Sequence, residues 1–385
     1  MTRVSLLKCP EYDNARLRRA LNQGLEDIGF DVSAFRGARV ALKPNLLMPF
    51  APESAVVTHP EFFRAAVQMV KEHGGIPVII ESPNFFELKK TMRRTGFMEI
   101  AGQEGVEIPD VTITRRLAYP QGRIYKGIEI SEAFFSVDVI VNLPKFKTHA
   151  FTHISGAVKN LFGTIPGLRK SRMHARLPDQ RGFCTFLLDL AGAITQGFDP
   201  PKKVLHLMDA ILAMEGEGPG PSGAPKQMGC VLAGTDPVAV DWVAASVAGV
   251  NMDKALTIGM GFERPFAVSS PEEIEVVGDS ISSCALSDFV ASKHKIYGGI
   301  CWPMTSPTVK NWFVERPVPQ PDKCVLCYQC QKTCPASAIS QAPPGAKVPR
   351  YDYRKCIRCF CCMEICPEAA ISATPGWLQG VLNLK

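Results

Sequence analysis

The chain has 385 residues, 46% of them hydrophobic and 21% charged, the balance of a globular protein of two or three domains and neither a disordered nor a membrane composition. Its net charge of +6 comes without long basic runs or interleaved aromatics, which argues against a nucleic-acid surface and leaves acidic partners and anionic substrates open. No apolar run is long enough to span a bilayer and no signal-peptide core follows Met1, so a cytoplasmic setting is expected, in which the fourteen cysteines serve metal and not disulfides.

In chain order, Val4 to Leu7 reads as a strand, and Asn14 to Gly29 as an amphipathic helix with Leu17, Leu21, Leu25 and Ile28 on one face. Arg39 to Leu42 is a buried strand that stops at Lys43-Pro44-Asn45. Thr58-His59-Pro60-Glu61 is a capping box opening a helix that runs to His73. Val78 to Ile80 is the next strand, ending in Glu81-Ser82, and the three elements make a right-handed βαβ unit. Residues 85–103 read as helical and 105–135 as a β-rich insertion. Strands resume at Val137 to Val141, Val204 to Met208 and Gly229 to Ala233, with helices at 183–196 and 237–248, the latter capped by Asp236. Strands alternating with helices predict an α/β domain with a mostly parallel, doubly wound sheet, here residues 1–314.

Ligands of such sheets bind beyond the carboxyl ends of the strands. Polar residues recur there, and Lys43, Asn45, Glu81, Asn142, Lys145, Lys147, His149, Lys159, Asp209 and Glu215 form the candidate pocket for an anionic ligand. The plainer alternative is that polar residues simply begin loops. Residues 142–170 are densest in chemistry: Ser155-Gly156 could open a short helix with free N–H groups, and Lys145, Lys147, Lys159 and Lys170 supply charge for a phosphate or carboxylate. His149 and His153 read as hydrogen-bonding residues, not metal ligands. Arg169, Lys170, Arg172, His174 and Arg176 read as a solvated loop before an anion clamp. Gly218, Gly220 and Gly223 match G-x-G-x-x-G, but prolines stiffen the loop and a strand follows, which excludes a dinucleotide fingerprint. No flavin or nicotinamide signature is present.

After a strand at Ile274 to Val277, residues 315–322 read as a proline-rich linker. Beyond it the pattern C-x2-C-x2-C-x3-C-P occurs twice, in residues 323–374. Three thiolates of each copy ligate one cluster and the fourth ligates the other. The expected sets are Cys324, Cys327, Cys330 and Cys366 for one [4Fe-4S] cluster, and Cys356, Cys359, Cys362 and Cys334 for the second. Cys361 falls out of register with the first copy, where Gln329 stands, and is a spare thiol. Residues 375–385 read as an amphipathic tail with Trp377, Leu378, Val381 and Leu382 on one face.

The doubled motif resembles the bacterial-type ferredoxin with two [4Fe-4S] clusters. The preceding part is similar to the family named domain of unknown function 362, through Val40-Ala41-Leu42-Lys43-Pro44-Asn45, Asn142-Leu143-Pro144-Lys145-Phe146-Lys147-Thr148-His149, Gly156 to Gly163, Met214-Glu215-Gly216 and Asp236 to Asp241. The resemblance implies clusters, an anaerobic redox setting, and a site near the Lys-Pro-Asn and Lys-Thr-His segments. Three functions are then in play: electron transfer to a redox partner protein, with the α/β domain binding an anion or docking that partner; reduction of a small anion at the strand ends; and a scaffold or maturation factor whose clusters are structural.

Overall fold

The computed structural model describes residues 1–83, 86–167, 169–292, 311–312 and 314–376. The tail residues Trp377, Leu378, Val381 and Leu382, and Cys301, lie outside them. Fifteen strands are described: β1 Thr2–Lys8, β2 Arg39–Pro44, β3 Ile76–Ile79, β4 Thr114–Ala118, β5 Gly127–Ser131, β6 Val139–Leu143, β7 Lys145–His149, β8 His153–Ser155, β9 Lys203–Gly216, β10 Gly223–Gly234, β11 Ile274–Gly278, β12 Arg316–Pro319, β13 Ile339–Ser340, β14 Arg350–Tyr351 and β15 Ile371–Thr374.

The main sheet has nine strands in the order β11-β1-β10-β9-β6-β2-β3, with β7 joined to β9 and β8 to β7. It is mostly parallel: β3, β2, β6 and β9 run together, as do β1 and β11, while β10 is antiparallel to both its neighbours. Alternation along β1 shows why helices cover both faces. Ser5 donates to Asp27 at the end of the helix Asn14–Asp27, whereas Val4, one residue earlier, borders Gly234 together with Val240 of the helix Pro237–Val247. Apolar runs such as Val40-Ala41-Leu42 and Val139-Ile140-Val141 are fully buried between these layers, as expected of central parallel strands. Within the stretch 105–135, β4 and β5 pair as a separate antiparallel sheet.

Three expectations need correction. The helical stretch 85–103 is two helices, Leu88–Arg94 and Phe97–Glu104, split at Gly96. The strand expected to end at Asp209 continues to Gly216 and turns into β10, so the G-x-G-x-x-G stretch is the tip of a long hairpin. Asp209 does not end a strand because its carboxylate finds partners inside the protein.

The third correction concerns the proline-rich linker. Arg316–Pro319 is a strand, paired antiparallel with Ile371–Thr374. Prolines at alternate positions direct their missing N–H to the same unpaired side, as an edge strand allows. This pair closes the ferredoxin-type module, whose second small sheet is β13–β14. Its two halves repeat in backbone detail: Leu326, Tyr328 and Ser337 adopt left-handed φ in the first, and Arg358, Phe360 and Ala369 do so at the same motif positions in the second. The module is seated on the α/β domain by an exchange of apolar residues, since Ala150 belongs to the module's core and Ile365 to the large one. Among the described residues no helix is long and apolar enough to cross a membrane.

Candidate functional site

The ends of β2, β3, β6 and β7 bring an unusual number of charges into the interior. Lys43, next to last in β2, is fully buried, and its Nζ lies 2.6 Å from Glu81 Oε2, just beyond β3. Burial pulls the Lys43 pKa down and Glu81 opposes that pull. Lys145, the first residue of β7, donates to Asp209 Oδ2 at 2.9 Å and to the Tyr12 hydroxyl at 2.8 Å. Asp209 also accepts from Tyr12 Oη (2.8 Å) and from the His59 N–H (2.9 Å), and the Tyr12 and His59 rings stack at 3.6 Å. Both charges of the Lys145–Asp209 pair are fully buried. Desolvation holds the His59 imidazole down at about 4.

A chain of amides joins these pairs. Lys147 Nζ donates to Asn45 Oδ1 (2.9 Å) and Val56 O (2.8 Å). Asn45 donates to Asn160 Oδ1, and Asn160 in turn donates to Asn142 Oδ1 (2.8 Å) and Lys43 O (3.2 Å). Asn142 is also bonded to Ala157 O and lies 3.0 Å from His206 Nδ1. With only neutral acceptors on Lys147 and with Lys159 and Lys145 nearby, burial first and like charge second hold its pKa well below that of a free lysine. The short helix Ala157–Asn160 is fixed from beneath by Asp241, which accepts the N–H groups of Ala157 and Val158. Its carboxylate comes so close that residue 156 must be glycine: a Cβ there would overlap Asp241. Those N–H groups are therefore spent on Asp241 and do not face a ligand.

A residue of the other module also reaches the network. Glu364 ends the helix Cys361–Glu364, between the motif residues Cys362 and Cys366. Its Oε1 lies 3.3 Å from His149 Nε2. His149 Nδ1 accepts the N–H groups of Phe151 and Thr152, so the neutral ring carries its proton on Nε2, toward the carboxylate. Desolvation raises the Glu364 pKa, and the charges of Lys159 and Lys147 oppose the rise. Burial pulls the Lys159 pKa down and the Glu364 charge opposes that pull, and among the described residues the Lys159 ammonium makes no hydrogen bond or ion pair. The hairpin tip completes the contact: a side chain at Gly220 would run into the Glu364 carbonyl.

The cysteines fall into the two interlocked groups. Cys366 is close to Cys324, Cys327 and Cys330, and all four line one cavity together with Tyr351. Cys334 is close to Cys356 and Cys359, and Cys362 neighbours all three. The N–H groups of Ala338 and Ala370 each donate at 3.2 Å to Cys334 and Cys366 Sγ. Among the described residues no three His, Cys, Asp or Glu side chains converge on one ion-sized point. Four cysteines round one cavity, and backbone donors to the sulfurs of Cys334 and Cys366, fit a [4Fe-4S] cubane.

The sequence profile described as Domain of unknown function (DUF362) matches residues 40–246, and that of a 4Fe-4S dicluster domain matches 316–367. The thylakoid-associated protein sll1697 of Synechocystis sp. is 32% identical over 284 residues, covering 71% of this chain and 85% of that one. The chain belongs to the DUF362 family. Among solved structures, the lactate racemase apoprotein of Thermoanaerobacterium thermosaccharolyticum aligns with this DUF362 chain at a TM-score of 0.40 and 11% identity, over 63% of this chain and 56% of that one. A Thermotoga maritima protein aligns at 0.36 and 13%, over 67% and 61%. This DUF362 protein thus carries an iron-sulfur dicluster domain behind an α/β domain.

In this DUF362 chain the expected pocket residues Lys43, Asn45, Glu81, Asn142, Lys145, Lys147, His149, Lys159 and Asp209 do lie in one network. Lys43, Lys145 and Lys147 are satisfied from within the protein, by Glu81, by Asp209 and Tyr12, and by Asn45 and Val56 O. Glu215 is elsewhere, on the hairpin, where its carboxylate accepts the Val290 N–H. Asp236 sits at the opposite edge, because β10 runs antiparallel. Sequence reasoning missed Tyr12, His59, Asn160, Asp241 and Glu364. Only Asn160 and Asp241 stood in stretches already singled out by resemblance.

Proposed function

We propose that the chain is an iron-sulfur electron-transfer protein with two [4Fe-4S] clusters, one on Cys324, Cys327, Cys330 and Cys366, the other on Cys356, Cys359, Cys362 and Cys334. When bound, the clusters supply low-potential one-electron transfer. The observation that carries this reading is the insertion of Glu364, flanked by ligand cysteines, among Lys147, Lys159 and His149 of the α/β domain. The two motif loops differ in surroundings despite their matching sequence. Cys327 and Val325 of the first are exposed, whereas Cys359, Phe360, Cys361 and Cys362 of the second are buried. The first loop therefore suits contact with an external redox protein, and the second is shielded by its packing. A reducing, cytoplasmic setting would keep both clusters and the buried free thiols intact.

The test is an anaerobic redox titration of the full chain followed by electron paramagnetic resonance, on the parent and on Lys159→Met. Loss of the Lys159 charge is expected to lower the midpoint of one cluster and leave the other in place, with iron content unchanged. Equal midpoints in parent and variant, or a chain that holds a single cluster, would sink the proposal. The ammonium of Lys159, without an ion pair among the described residues, favours a second reading in which a small anion is reduced at this junction. Its mark would be faster reoxidation of the reduced protein by 2-oxo acids, nitrite or sulfite, lost in Lys159→Met.

A further inference from the structure

The basic stretch expected as a solvated loop is a helix, Arg169–Arg176, and its two faces differ. Lys170, Ser171, Met173 and His174 are buried: Lys170 Nζ donates to Ser82 O, and the His174 ring stacks on Phe183 at 4.2 Å. That anchorage turns Arg169, Arg172 and Arg176, spaced i, i+3, i+7, to the outside. They do not meet bulk water alone. Arg169 and Arg172 form the wall shared by two adjoining cavities.

The first cavity, of about 830 Å³, is lined by Ser82, Lys89 and the apolar residues Phe86, Leu88, Ile108 and Val111, together with the two arginines. The second, of about 360 Å³, adds Arg116 and Arg176 beside Tyr125, Ile165 and Phe186. Four guanidinium groups and Lys89 thus face three carboxylates, Glu87, Asp110 and Glu129. Asp110 is occupied by the N–H and hydroxyl of Thr112, and Glu129 lies 3.8 Å from Arg169. Among the described residues Arg116, Arg172 and Arg176 make no hydrogen bond or ion pair. An excess of planar, forked donors beside an apolar wall matches a ligand with an anionic head and an apolar body. A bare inorganic anion would leave the apolar wall unused.

We propose that this arginine-walled cavity binds an amphipathic organic anion, its charged head between Arg169 and Arg172 and its body against Phe86, Leu88 and Ile108. The site is independent of the electron-transfer reading, since neither cavity contains a cysteine of the doubled motif or a residue of the Glu364 junction.

The probe is 8-anilinonaphthalene-1-sulfonate, titrated by fluorescence into the anaerobically purified full chain at fixed ionic strength. Saturable binding to one site is expected, weakened at least tenfold in Arg169→Gln/Arg172→Gln and largely retained in Arg172→Lys. Arg354→Gln, exposed in the distant ferredoxin-type module, should bind as the parent does. Benzoate or hexanoate should displace the probe at concentrations where inorganic phosphate does not. An affinity indifferent to both arginines means adventitious probe binding only and overturns the site. Displacement by phosphate as effective as by benzoate overturns the ligand class.

Discussion

Replacing Asp209 by asparagine tests whether the buried lysines are held for the fold or for a ligand. The carboxylate serves four donors at once: Lys145 Nζ at 2.9 Å, the His59 N–H at 2.9 Å, Tyr12 Oη at 2.8 Å and, at the longest reach, the Ile211 N–H at 3.4 Å. At 2.9 Å the gross attraction of the ion pair is about 6 kcal/mol for an effective dielectric of about 20. Breaking a buried pair costs about 3 to 5 kcal/mol, because the remaining charge stays desolvated. Asparagine keeps one acceptor oxygen but points an amide at donors, so a loss near 4 kcal/mol is expected. Lys145→Met/Asp209→Leu removes both charges and should return to within about 2 kcal/mol of the parent, as apolar replacements of whole buried pairs do. Urea titration of the anaerobic protein by far-ultraviolet circular dichroism measures all three. If Asp209→Asn cost less than about 1 kcal/mol, or if the double variant were no more stable than the single one, the pair would not be a structural element and Lys145 would again be free to serve a ligand.

Cys361→Ala should leave iron and acid-labile sulfide near eight each per chain, whereas Cys362→Ala should lower both, because only Cys362 neighbours Cys356, Cys359 and Cys334 together; iron analysis decides, and equal losses would show the register to be wrong. Burial raises the Asp241 pKa to about 7, so between roughly pH 4 and pH 7 the folded chain binds more protons than the unfolded one and stability falls as pH rises, by up to about 4 kcal/mol. Urea midpoints measured across that range should show the fall in the parent and a flatter profile in Asp241→Asn. Gly220→Ala should push the hairpin tip off the Glu364 carbonyl, speeding amide exchange in β7 and around residues 361–365 while iron content holds; exchange unchanged from the parent would mean the two modules do not depend on this contact.

What the sequence disclosed and what it withheld divide by range. The βαβ unit from Arg39 to Ile79 was legible because periodicity, the His59-Pro60 start and the Gly74 stop are local signals. The doubled cysteine motif was legible because cluster chemistry imposes fixed spacing. The polar network was legible as a set of residues but not as a set of pairs, since Tyr12 and Asp209 stand 197 positions apart. Four lysines at one edge therefore looked like a demand for an outside anion, when Glu81, Asp209 and Glu364 supply much of the counter-charge from within. Glu364 gave no warning because nothing in a ferredoxin motif tells which side chain will face a neighbouring domain. The Arg169–Arg176 helix was read as loop because its apolar side is built from Lys170 and His174, residues that periodicity counts as polar.

The pairing of β12 with β15 sets the two ends of the ferredoxin-type module side by side. A unit whose ends meet can be gained, moved or duplicated in evolution without rethreading its host, because a single crossing point connects it. Here that portability has been surrendered. Ile365 is lodged in the core of the larger domain, and Ala150 in that of the smaller. Lifting the module away would open a hole in both. A fragment begun at the first cysteine would lose its closing strand and, with it, the clasp that makes the unit self-contained.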